Sequence, residues 1–224
     1  MKTVYFVRHG ESEANVGAPI FTGEESRLTP KGVEQAKFIA KRCANLQVDV
    51  ILSSPAVRTL ATAREITLIT GKNAEVHEMF TERKLPSQLL GKPRNRADEN
   101  CDTEQMYTDW FRSFYEPNLQ VGDVENFATL KSRVSEALQY LQARPESRIL
   151  VVTHGFFLHM TASLVLLGEN LSIDDFRKAA RAIWMDNTGL TRLDYITTGD
   201  NKRIDRIPYQ GWALRVWNDH AHLG

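Results

Sequence analysis

Cysteine is scarce in this chain: Cys43 and Cys101 are the two among 224 residues. They form no CxxC-type pair, which argues against a structural zinc site and against a disulfide framework, and it fits a reducing, cytoplasmic setting. Excess charge of either sign is missing too. Lys plus Arg and Asp plus Glu each number 28, so no net field draws in nucleic acid or an anionic membrane. Any affinity for an anion must come from a local cluster. Long apolar runs are also absent. Val4, Tyr5, Phe6 and Val7 give way to Arg8, too soon for the hydrophobic region of a signal peptide. The stretch 156–167 is interrupted by His159, Thr161 and Ser163 and is too short to cross a bilayer. Neither repeat nor low-complexity tract is visible.

What is present is an ordinary globular composition, 42% hydrophobic and 25% charged, in a chain long enough for a sizeable core. Short runs of β-branched and aromatic residues alternate with helical patterns, the signal for an α/β fold: a three-layer sandwich with a mostly parallel central sheet and helices on both faces. Residues 4–7 form the first expected strand, apolar throughout as a strand buried on both faces should be. Thr29-Pro30 opens a helix, with Thr as cap and Pro in the first turn, and Val33, Ala36, Ala40 and Cys43 recur at helical spacing. Residues 50–52 make the second strand. Ser54-Pro55 repeats the cap-then-proline device before a helix whose apolar face is read as Val57, Leu60 and Ala61. A short strand at 74–77 and an amphipathic helix carrying Phe127, Leu130, Val134, Leu138 and Leu141 come next. The strand 149–152, a helix at 157–167, and a late edge strand at 190–196 after an Asn187-Thr188-Gly189 turn complete the alternation. Residues 92–122 break the pattern. They are polar, with Tyr107, Trp110, Phe111 and Phe114 at helical spacing, and read as a helical cap inserted into a single domain spanning 1–224.

Three expected strands end alike, with a polar cluster at the carboxyl end: Arg8-His9-Gly10, Ser53-Ser54-Pro55 through Arg58, and Thr153-His154-Gly155. Ligands of open α/β sheets bind outside the carboxyl ends of the strands. Two histidines and two arginines are therefore expected to converge on one pocket. Such a pocket suits a phosphate, because Arg presents a planar fork of donors and stays charged. The helix expected to begin near Pro55 would add N–H groups and a positive dipole end. A neutral imidazole can attack phosphorus, and unperturbed His titrates at about 6.5. Arg8, Arg58 and a protonated His154 would lower the pKa of His9 and keep it nucleophilic. Phosphoryl transfer asks for positioning and charge neutralisation, so neither metal nor cofactor is required.

The run Val-Arg-His-Gly-Glu-Ser-Glu-Ala-Asn at 7–15 resembles the signature of the histidine phosphatase (phosphoglycerate mutase-like) superfamily. The resemblance continues in order along nearly the whole chain. It takes in Leu28-Thr29-Pro30-Lys31-Gly32, Ser53-Ser54-Pro55 to Arg58 and on to Thr62-Ala63, Thr81-Glu82-Arg83, Val152-Thr153-His154-Gly155 and Asn187-Thr188-Gly189. It implies that His9 is phosphorylated, that Arg8, Arg58 and His154 hold the phosphoryl oxygens, and that Glu82 is the proton donor. Asn15, Thr22, Gly23 and the backbone N–H of Gly155 would be accessory phosphate contacts. Glu78 competes with Glu82 for the acid role. Arg94 and Arg96 either reach a second anionic group or sit in a solvated loop. His77, His159, His220 and His222 read as structural or exposed, and the Tyr107–Phe114 stripe as packing between cap and core.

The expected function is hydrolysis of a small phosphorylated metabolite, without nucleic acid or membrane as partner. A mutase is the alternative. It would need further cations for a carboxylate and a tighter pattern after the acid, where this chain has Lys84, Leu85 and Pro86. A non-catalytic phospho-ligand binder is a third reading, against which the intact His9, His154, Arg8 and Arg58 set argues. Substrate identity and oligomeric state, a homodimer included, stay open.

Overall fold

In a computed structural model of the chain, residues 1–94, 101–116, 119, 121–197 and 209–224 are described, with Cys101 and Asp102 as backbone only. Arg96 and part of the 92–122 segment lie outside them. Six strands form one sheet: β1 (Lys2–Arg8), β2 (Val50–Ser53), β3 (Ala74–Val76), β4 (Arg148–Thr153), β5 (Leu190–Ile196) and β6 (Gly211–Asp219), in the order β3-β2-β4-β1-β5-β6. The pairs β1/β4, β2/β4 and β2/β3 are parallel, whereas β1/β5 and β5/β6 are antiparallel. Side chains alternate between the two faces of a strand, and the apolar ones sort accordingly. Val4, Phe6, Leu52, Ile149 and Val151 join the core under α4 (Phe127–Ala143), α5 (Gly155–Leu167) and α6 (Ile173–Ala182). Val7, Ile51, Leu150 and Val152 join a second core under α1 (Pro30–Cys43) and α2 (Val57–Thr70). The sheet is thus the middle of three layers, as expected. A further helix, α3 (Cys101–Tyr115), falls within the segment read as a cap. Among the described residues no helix is long and apolar enough to cross a membrane.

Several local expectations need correction. Leu190–Ile196 is not an edge strand: it lies between β1 and β6, and β6 takes the edge. Strand β6 and the short, charged helix α6 have no counterpart among the expected elements. The helix after β2 starts at Val57, with Ala56 at its cap position and no side-chain cap bond. Ser54 is not its cap, because its hydroxyl is engaged by His154. The inward face of α2 is Arg58, Thr59, Thr62, Ala63 and Ile66, while Leu60 is exposed. Hydrophobicity pointed to the wrong face because the right one is largely polar.

Other signals hold. Thr29 Oγ1 accepts from the Gly32 N–H at 3.0 Å and caps α1. The same turn brings two glycines into backbone contact. A Cβ at Gly10 would fall within the Gly32 carbonyl, and one at Gly32 within the carbonyl of Glu11. That close approach presses α1 against the turn that carries His9. Gly32→Ala should therefore destabilise the protein by about 3 kcal/mol, the upper end of overpacking costs, in urea unfolding. A loss under about 1 kcal/mol would show that this approach is not a constraint.

Candidate active site

Because β1, β2 and β4 run parallel side by side, their carboxyl ends meet on one rim of the sheet. Arg8 pairs with Thr153 and Ser53 with Val152, and the His9 N–H donates to Thr153 O at 3.0 Å. The rings of His9 and His154 lie 5.2 Å apart, edge to face. Arg58 joins them: its Nε donates to His9 Nε2 (3.2 Å), its Nη2 to His154 Nδ1 (3.1 Å) and its Nη1 to Gly23 O (2.9 Å). All three side chains are buried.

These contacts fix the tautomers. His9 Nδ1 lies 2.7 Å from Gly10 O, so Nδ1 carries the proton and Nε2 keeps its lone pair. His154 accepts from Arg58 at Nδ1 and donates from Nε2 to Ser54 Oγ at 2.8 Å. The pKa of His9 is held well below its ordinary value, first by burial and then by Arg58 and Arg8. His154 is held well below as well, by burial and then Arg58. It is therefore neutral here, which corrects the expectation that a protonated His154 helps to keep His9 uncharged. Burial and the two arginines do that work.

Arg8 packs beside Gly155, where a Cβ would lie 3.4 Å from Arg8 Nε. Its Nη1 donates to Met185 O, and its Nε is buried without a partner among the described residues. Burial lowers the Arg8 pKa while Glu82 and Asp186 oppose the shift. Glu82 sits on the first turn of α5. Its carboxylate accepts from the N–H groups of Phe156 (3.0 Å), Phe157 (3.2 Å) and Arg83 (3.1 Å), a placement that suits an anion at a helix N-terminus. Its charge is also felt by Arg58. Glu78, by contrast, is exposed. The N-terminus of α5 thus meets an acidic side chain at this rim.

The accessory positions are placed unevenly. The Gly23 carbonyl holds Arg58, and Thr22 Oγ1 is buried without a described partner. Gly155 opens α5. Asn15 is exposed, its Oδ1 accepting from Ser12 N–H (3.1 Å), Ser12 Oγ (3.2 Å) and Asn187 Nδ2 (3.1 Å). Arg94 stacks over Phe21, 4.8 Å from the ring centroid, and donates to Ala14 O at 3.2 Å, so it braces the loop before Thr22. Helix α3 touches three segments beside the site: the loop before Thr22, the stretch after Glu82 and the first turn of α5. Tyr107 packs on Phe21 (5.0 Å), Trp110 Nε1 donates to Lys84 O (2.9 Å), and Phe114 packs on Phe156 (4.8 Å).

Sequence reasoning missed three supporting residues. Ser54 orients His154. Arg133 donates to Met79 O (2.8 Å) and Thr81 O (2.9 Å) just before Glu82, and is itself paired with Glu125 at 2.6 Å. Asn187 donates to His9 O at 3.0 Å. Ser54 and Asn187 stand inside motifs of the resemblance, so adjacency to them was the available signal. Arg133 had none, being one polar position of an amphipathic helix.

The rim thus carries two histidines bridged by a buried arginine. Residues 4–207 match the model of the histidine phosphatase superfamily (branch 1), and the chain belongs to that family. A probable phosphoglycerate mutase GpmB of Proteus mirabilis (strain HI4320) is 30% identical over all of this chain and 95% of its own length. One from Escherichia coli O1:K1 / APEC is 27% identical with the same coverage. Among solved structures, a putative alpha-ribazole-5'-P phosphatase from Escherichia coli K-12 superposes with a TM-score of 0.75 at 20% identity, covering 98% of this chain and 97% of that one. A phosphoserine phosphatase from Entamoeba histolytica, solved with 3-phosphoglyceric acid, superposes with a TM-score of 0.68 at 21% identity over 100% of both chains. At those identities the superpositions speak for the fold.

Both buried rings resist protonation in the folded chain and titrate near about 6.5 when unfolded. Below that pH the unfolded chain binds protons that the folded chain refuses. Stability is therefore full above about pH 6.5 and falls as pH drops, by up to about 1.4 kcal/mol per pH unit for each ring. Urea unfolding between pH 7.5 and 5.5 should show this slope, and His9→Gln with His154→Gln should make it shallower, the remainder coming from His159 and His222, which burial brings down to about 4. An unchanged slope in the double variant would place the proton uptake elsewhere.

Proposed function

We propose that the protein is a phosphomonoester hydrolase working through a phosphohistidine at His9. The observation that carries this reading is the His9 ring itself: Nδ1–H committed to Gly10 O, and an Nε2 lone pair facing the guanidinium of Arg58. When a phosphoryl group takes up Arg58, that lone pair is left to attack phosphorus in line. The P–N bond forms as the bond to the leaving oxygen breaks. Glu82 gives that oxygen a proton, then takes one from the water that attacks phosphorus as the P–N bond breaks. Arg8, Arg58 and His154 neutralise the charge spread over the phosphoryl oxygens. Arg8 Nε and Thr22 Oγ1, both buried without described partners, supply further donors. Gly155 N–H and Gly23 stand beside them, and Asn15 at the rim. Helix α3 acts as the cap, since it packs on each of the three segments.

Phosphatase is preferred to mutase because of Arg83. A mutase that acts on phosphoglycerate must hold a carboxylate as well as a phosphate, and the arginine beside the acid is the obvious candidate. Here Arg83 is buried away from solvent. It donates to Glu125 O (2.9 Å), Trp110 O (2.6 Å) and Ser113 Oγ (3.1 Å) and lies over the Trp110 ring. Burial brings its pKa down to about 10. The next cation, Lys84, lies 3.9 Å from Glu24. The curated relatives, named as probable phosphoglycerate mutases, favour the second reading, so both activities belong in one assay.

His9→Ala should abolish release of phosphate from a phosphomonoester panel while the variant still folds, as read by circular dichroism, and a chelator should leave the wild-type rate unchanged. Turnover by His9→Ala would remove His9 from the chemistry, and interconversion of phosphoglycerates without phosphate release would favour the mutase. Glu82→Gln should slow alkyl phosphates at least about 100-fold and 4-nitrophenyl phosphate far less. If Glu78→Gln behaves that way instead, the acid is misassigned.

A further inference from the structure

Asn187 lies at the tip of a turn that is built to hold it. Thr188, at a φ of 60°, donates its N–H to Arg8 O (3.0 Å) and His9 O (3.3 Å). Just before it, Asp186 is clamped to β6: its N–H donates to Asn218 Oδ1 (2.8 Å), and its Oδ2 accepts from Asn218 Nδ2 (2.8 Å). The turn therefore has little freedom relative to the strand end that carries His9. From this platform the Asn187 amide sends both its reach and its donors to the site: Nδ2 donates to His9 O at 3.0 Å and to Asn15 Oδ1 at 3.1 Å.

The second bond joins those from Ser12 in holding the Asn15 amide one way round. An asparagine amide has one acceptor end and one end with two donors, and its packing is nearly the same either way round. Three donors converge on Asn15 Oδ1: the Ser12 N–H, the Ser12 hydroxyl and Asn187 Nδ2. Reversed, the amide would set its own N–H groups against the Ser12 N–H and Asn187 Nδ2, a juxtaposition with no acceptor. The Nδ2 donors of Asn15 are thereby left for an exogenous acceptor.

We propose that Asn187 is a positioning residue that locks the Asn15 amide with its donors presented to a bound oxyanion. The inference rests on the phosphatase reading of the site. It makes the two asparagines one functional unit, joined across the turn that also steadies the His9 backbone, and it assigns Asn187 a role in anion affinity rather than in the bond-breaking step.

A double-mutant cycle with inorganic phosphate as the probe tests it, with binding measured by calorimetry and 4-nitrophenyl phosphate turnover alongside. Asn15→Ala and Asn187→Ala should each weaken phosphate about 10-fold, the worth of one hydrogen bond to a charged group. The double variant should bind phosphate no more weakly than either single one, because Asn187 reaches the anion through Asn15. KM should rise more than kcat falls. Asn187→Leu keeps much of the shape without donors or added charge and should show the same loss, so it carries the cycle if the alanine variant does not fold. Losses that multiply to about 100-fold would overturn the proposal, as would a fall in kcat at unchanged KM that persists in the Asn15→Ala background. So would unaltered phosphate binding by both Asn187 variants while Asn15→Ala is weakened; the functional reading would then survive alone. A wild-type protein that neither binds phosphate nor releases it from any substrate would overturn both.

Discussion

A buried guanidinium bonded to two imidazoles is the constraint on which the site depends. Arg58 donates to His9, to His154 and to the Gly23 carbonyl, so one planar group sets the relation between two strand ends and a loop. A permanent cation taken out of water demands partners. These are two neutral nitrogens and a carbonyl, with Glu82 and Glu24 as opposing charges. Each ring must stay uncharged to accept from it. The neutrality of His9 is therefore a structural necessity before it is a catalytic asset.

Around that hub, the fold does the positioning. Parallel pairing of β1, β2 and β4 puts three chain reversals at one rim, and each reversal delivers a side chain that the next one uses. Ser54 holds His154, the first turn of α5 holds Glu82, and the Gly10/Gly32 contact seats α1 against the loop that bears His9. Glu82 is steadied from behind as well, by Arg133 on the carbonyls before it and by Arg83 in the packing of α3. Glu82, His9, His154 and Arg58 thus hang on packed elements, with α3 against the segments that carry them.

Much of this was legible in the residues. Apolar runs that stop at Arg8, Ser53 and Thr153 declared buried parallel strands, and the polar residues just beyond each run meet at one rim in the structure. The misreadings share a cause. Hydrophobic periodicity finds faces that pack against oil, so it selected Val57, Leu60 and Ala61 on α2, where the inward face is polar because it faces the site. Serine before proline read as a cap, yet a histidine 100 positions away bonds to its hydroxyl. The charge state of His154 was misjudged because burial cannot be read from a three-residue string. Arg133 and Asn187 act through backbone carbonyls of distant segments, contacts that no local spacing encodes.

Family membership leaves hydrolase and mutase both open, and the proposed first step, phosphoryl transfer to His9, would serve either. That step is the core of the account, and its covalent product can be looked for directly. Brief reaction of 15N-histidine-labelled protein with a turnover substrate, followed by alkaline quench and 31P NMR, should reveal an acid-labile phosphoramidate coupled to Nε2 of His9. Phosphate attached to any other residue or to Nδ1, or none trapped while substrate is being consumed, would contradict it.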